Sequence, residues 1–202
     1  MKKWIIALIT LCLASLMNAA LAECVPRPIE YQLADIVKSA LEREELSYEY
    51  DERKQTFALQ FDLDSMLGTV NVTVYLYDDM VSVSVDCPLR VKPEHFEKAA
   101  IFTTLANNEM YYAQFRVDRD YNWISCRSCN VIESVPPSEN EIVTLLYMPV
   151  IAMDDYGDGI ASICTLGADP YQAFASCQAI IRGLMNNTES MNMPTSKRRN
   201  LI

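Results

Sequence analysis

The feature that most constrains the fold of this chain is a run of two-residue alternation ending at Cys87. Phe57, Leu59, Phe61 and Leu63 alternate with Gln60 and Asp62. Val70, Val72, Val74 and Leu76 alternate with Asn71, Thr73, Tyr75 and Tyr77, and Val81, Val83, Val85 and Cys87 with Ser82, Ser84 and Asp86. Successive side chains on a strand point to opposite faces, so each run has one apolar and one polar face. The runs are separated by a break at Asp64 to Gly68 and a two-residue turn at Asp78-Asp79. Tyr48 and Tyr50 alternate ahead of a further polar turn at Asp51 to Lys54. The pattern predicts an antiparallel meander with one wet and one dry face.

On either side the period changes to that of a helix. Pro28 stands at a favourable first-turn position. Ile29, Leu33, Ile36, Val37, Ala40 and Leu41 follow as one apolar stripe, with Glu30, Lys38, Glu42 and Arg43 opposite. Pro93 opens a second helix whose inner side carries Phe96, Ala99, Ala100, Thr103 and Ala106 or Asn107, with a stop at Asn107-Asn108. Ala113, Phe115 and Val117 read as a strand, Asp118 to Asn122 as a turn, and Trp123 to Val131 as its hairpin partner. Ser138 and Glu141 form a capping box for a helix that continues past Pro149 with a kink or break. Asp169 caps, and Pro170 begins, a last helix bearing Tyr171, Phe174, Cys177 and Ile181. The expected fold class is α+β: a mostly antiparallel sheet with helices packed on one face, in the order α, β-meander, α, ββ, α, α.

The N-terminus reads as an export signal. Lys2 and Lys3 precede the apolar run Trp4 to Met17, and Ala20-Leu21-Ala22 supplies small residues for cleavage. The run is shorter than the roughly 20 apolar residues of a membrane span. This divides the chain into a signal peptide at 1–22, one α+β domain at 23–183 and a flexible polar tail at 184–202. It predicts a periplasmic or secreted protein with no stable membrane span after cleavage. Lys and Arg total 17 against 27 Asp and Glu, a formal charge of −10. That balance excludes a nucleic-acid backbone binder, and the single His excludes sites that need two.

Six of the seven cysteines lie beyond the signal: Cys24, Cys87, Cys126, Cys129, Cys164 and Cys177. An even number after an export signal predicts disulfides. The most plausible pair by position is Cys164 with Cys177, which flank the Gly167 to Pro170 connection. Cys126-Arg127-Ser128-Cys129 has redox spacing, but its flanks read as strand, whereas reactive pairs sit at helix N-termini. Asp154 to Gly159 resembles the start of a calcium loop, yet Tyr156 and Thr165 stand where ligands are needed. It reads as an acidic turn between helices. His95 reads as an exposed residue of a helix's first turn. No metal or cofactor is expected.

The passage Leu105-Ala106-Asn107-Asn108, then Tyr112-Ala113-Gln114-Phe115-Arg116-Val117-Asp118, then a second strand and a Ser/Glu-capped helix, resembles the YbjN family. That family shares the fold of class I type III secretion chaperones. The resemblance runs from about Pro28 to Phe174. It implies a non-enzymatic regulatory or protein-binding module, with a homodimer suggested by the chaperone relatives.

The functional expectation is an exported protein-binding or chaperone-like module acting through its sheet face and edge on an unknown protein partner. Tyr75 and Tyr77, on the polar face of their strand, are its candidate contact residues, since tyrosine is favoured at interfaces. The alternative is a periplasmic thiol–disulfide oxidoreductase using Cys126 and Cys129.

Overall fold

The computed structural model describes residues 29–133 and 135–192. The export segment 1–22, Cys24 and residues 193–202 lie outside the described residues. The described chain folds as α1 (Ile29–Arg43), β1 (Glu49–Asp51), β2 (Thr56–Asp62), β3 (Thr69–Tyr77), β4 (Met80–Arg90), a 3-10 turn (Pro93–His95), α2 (Phe96–Asn108), β5 (Gln114–Asp118), β6 (Trp123–Val131), α3 (Glu139–Asp155), α4 (Gly157–Leu166) and α5 (Pro170–Asn192). The strands form one six-stranded sheet in the order β1-β2-β3-β4-β6-β5. Every neighbouring pair is antiparallel. The α+β class with helices on one face is as the alternation predicts.

The apolar parity of each strand makes the core. Phe57, Leu59, Val70, Val72, Val74, Leu76, Val81, Val83, Val85 and Cys87 are all buried. Leu33, Val37, Ala40 and Leu41 of α1 pack on them, with Phe102 of α2, Leu146 and Met153 of α3, and Ile160 and Ile163 of α4. Tyr50 stacks on Phe57 at 4.4 Å between ring centroids, and Tyr48 meets the same ring edge-on at 5.4 Å.

Local chemistry sets the helix ends. The Ser138–Glu141 capping box is formed in both directions. Asp169 Oδ1 accepts from the N–H groups of Tyr171 and Gln172 at 3.1 and 2.9 Å. Gly167, with φ +62°, closes α4 in the left-handed region where glycine carries no Cβ penalty. The acidic turn has a structural task. Asp154 Oδ1 accepts from Ser65 N–H and Asp158 Oδ1 from Met66 N–H, both at 2.8 Å, which pins the β2–β3 loop to the α3–α4 corner.

Four details differ from the sequence reading. β4 runs on to Arg90 through a register shift between Asp86 and Arg90, which carries the strand past its alternating stretch. His95 is half-buried against α4, its Nδ1 3.3 Å from the Cys164 carbonyl oxygen. α5 continues to Asn192, so the segment after Leu184 begins as helix. Finally, α3 passes through Pro149 as one helix. Proline has no N–H to give the carbonyl four residues back. The Leu145 carbonyl is instead served by Ser128 Oγ of β6, which donates to it at 2.6 Å.

Candidate functional site

Parity places Tyr75 and Tyr77 on the sheet face away from the helices, as expected. Tyr75 is half-buried and Tyr77 is 47% exposed. Their rings lie nearly parallel, 6.4 Å apart. Neighbouring strands set small residues beside them. Tyr75 is opposite Ser82, and Ser82 is opposite Cys129; Thr73, Ser84 and Arg127 form the next row across the sheet. The floor is therefore low and hydroxyl-rich, with aromatic and guanidinium side chains rising around it.

One end of this face carries a cavity of about 300 Å³ lined by Tyr75, Asp86, Arg116, Tyr121, Trp123 and Arg127, among others. Burial pushes the Asp86 carboxyl above the usual range, opposed by the Ser84 hydroxyl and by the Arg127 and Arg90 charges. Arg90 covers the Trp123 ring at 4.8 Å, and the buried indole Nε1 of Trp123 has no hydrogen-bond partner.

The second part of the site is an edge. β5 pairs with β6 only from Gln114–Arg127 to Asp118–Trp123, whereas β6 runs on to Val131. The Ile132 N–H donates to the Asp79 carbonyl at 2.7 Å, so in this ladder the even-numbered residues of β6 turn their backbone groups toward β4. Cys129 and Val131 then turn their N–H and C=O outward, where the described residues supply no strand. Beside this edge a groove of about 810 Å³ is lined by Tyr77, Met80, Cys129, Tyr111, Tyr112 and Met148, among others. Tyr111 is 93% and Tyr112 74% exposed. The outer edge of β5 is differently treated. Asn107 Nδ2 donates to the Phe115 carbonyl at 3.0 Å, and the Phe115 N–H donates to Asn107 Oδ1 at 2.7 Å. One edge is thus closed by a side chain and the adjoining stretch of β6 is left open. The sequence signal for this stretch is the unequal lengths of the two hairpin strands.

The cysteines correct two expectations. All described cysteines are free thiols. Cys164 has Cys87 and not Cys177 as its thiol neighbour: the two perturb each other's ionisation across the core. A Cβ added at Gly159 would lie 3.0 Å from Cys177 Sγ, so Cys177 packs against α4 at a different level. The redox alternative also finds no support. Cys126 and Cys129 are three apart on a strand, so they point to opposite faces. Cys126 is fully buried and burial pushes its thiol up to about 12, away from the reactive range. Among the described residues no group of three or more His, Cys, Asp or Glu is placed to hold a metal. Likewise no described helix is long and apolar enough to cross a membrane.

No family model and no curated protein matches the chain. Among solved structures, the chain is similar to the crystal structure of YbjN from E. coli, a proposed transcription regulator. The TM-score is 0.45 at 12% identity, covering 61% of this chain and 90% of that one. At that overlap the likeness assigns this chain neither a family nor an activity.

Proposed function

We propose that this chain is an exported, non-enzymatic protein-binding module that receives an extended segment of a partner along the free edge of β6. One observation carries the reading: Cys129 and Val131 present outward backbone groups beside a groove walled by exposed tyrosines. Strand addition uses such groups for affinity and flanking pockets for selectivity. Tyr77, Tyr111 and Tyr112 supply large contact surfaces at small cost in side-chain freedom. Tyr75 and Tyr77 extend the contact from the edge onto the sheet face. The N-terminal pattern of Lys2 to Ala22 supports action in the periplasm or outside the cell.

The test is photo-crosslinking from Tyr112 in the cell envelope. A captured protein partner should be lost in Val131→Pro, which removes one outward donor, and weakened in Tyr75→Ala/Tyr77→Ala, with the thermal midpoint of each variant retained. Capture that ignores both variants would refute edge binding. Capture of a second copy of this chain would assign the edge to a homodimer instead.

A further inference from the structure

We propose that Cys87 and Cys164 are a disulfide-forming pair, an oxidative modification site that ties β4 to α4. The two sulfurs come from separate elements. Cys87 follows Val81, Val83 and Val85 on the core face of β4, and Cys164 shares the core side of α4 with Ile160 and Ile163. Two contacts hold the end of α4 against the residues that follow β4. Lys92 Nζ donates to the Thr165 carbonyl at 3.1 Å, and His95 Nδ1 lies 3.3 Å from the Cys164 carbonyl oxygen. The thiols are neighbours inside the core, Cys87 at 4% and Cys164 at 1% exposure, and each perturbs the other's ionisation. The remaining described cysteines are placed elsewhere. Cys126 stands opposite Val85, Cys129 is on the other face of the sheet, and Cys177 packs on Gly159.

The chemistry needs an oxidant, and a small-molecule disulfide such as oxidised glutathione suffices. The Cys164 thiolate attacks one sulfur of the small disulfide, which forms a mixed disulfide and releases one small thiolate. The Cys87 thiolate then attacks the Cys164 sulfur and releases the second. Two protein thiols lose two protons and two electrons, and the small disulfide is reduced to two thiols. Either cysteine can take the first role, and the balance is the same. Both sulfurs are enclosed in the folded chain, so exchange takes place while the core is open and stops when it closes. The oxidised pair is then shielded from reductants, and a pair folded without oxidant is shielded from oxidants.

The test uses the full chain and does not depend on where the protein resides. Reduced, unfolded chain is refolded with oxidised glutathione or with dithiothreitol. Free thiols are blocked under denaturing conditions, and the unreduced digest is mapped by mass spectrometry. The expected product, present only with oxidised glutathione, joins the Cys87 and Cys164 peptides and is two hydrogens lighter than their sum. The thermal midpoint of that sample should lie about 10 °C above the reduced one. A link from either residue to Cys24, Cys126 or Cys177 would overturn the proposal. So would blocking label on both residues in the oxidised sample.

Discussion

Asn107 and Phe115 hold each other through two hydrogen bonds, one in each direction between a side-chain amide and a strand backbone. The amide of a helix residue thereby stands in for a strand neighbour on the outer side of β5. This joint fixes the end of α2 to the sheet and protects an edge that would otherwise invite pairing. Replacing Asn107 with Leu keeps the size and removes both partners. The variant is expected to lose about 1–3 kcal/mol of stability. In urea unfolding this should be seen as a lower midpoint with an unchanged slope. A midpoint equal to that of the native chain would show that the joint contributes nothing.

Ser128 and Pro149 form a second long-range dependency. Because Pro149 cannot serve the Leu145 carbonyl, the Ser128 hydroxyl does so across the helix–sheet interface. Ser128→Ala leaves a part-buried acceptor without its partner and should cost about 1 kcal/mol or more. Pro149→Ala restores a helix donor, so the same serine change made in that background should cost much less. A double-mutant cycle should therefore give a coupling of about 1 kcal/mol or more. Additive costs would refute this account of how the helix tolerates its proline.

Asp86 makes the sheet face sensitive to pH. Burial raises its carboxyl above the unfolded value, so the folded state holds the proton more tightly than the unfolded chain does. This group's contribution to stability is fully present below the unfolded pKa and is lost as pH rises through the raised folded value. Asp86→Asn keeps the acceptor for Ser84 and removes the charge. It should stabilise the protein at neutral pH and leave it little changed at acid pH, as read from thermal midpoints across the acid range. A uniform shift at every pH would point to packing rather than ionisation.

The faces of the sheet were legible because alternation is a local signal. Val70 to Leu76 and Val81 to Cys87 announce their buried parity residue by residue, and Tyr75 and Tyr77 fall on the open face for the same reason. The sheet order was not legible. That β6 and not β5 lies beside β4 depends on how the chain returns after α2, and no local pattern encodes this. The thiol pairing failed for a similar cause. Cys164 and Cys177 are close in sequence, yet α4 and α5 aim them at different neighbours, and the partner of Cys164 lies 77 positions earlier. The cost of Pro149 was readable, but its remedy, a hydroxyl on a distant strand, was not. The open edge was half-readable. Unequal hairpin strands imply an unpaired stretch, whereas the closure of β5 by Asn107 comes from a helix end that no local strand pattern announces.

The Ser128 anchor has a consequence for the proposed recognition. It fastens β6 to the α3 backbone just where the strand loses its outer neighbour. The exposed stretch is thereby stiffened before anything arrives. Under the edge-binding proposal, most of the conformational freedom surrendered would then belong to the incoming peptide, because a pre-shaped surface spares its own share of that loss.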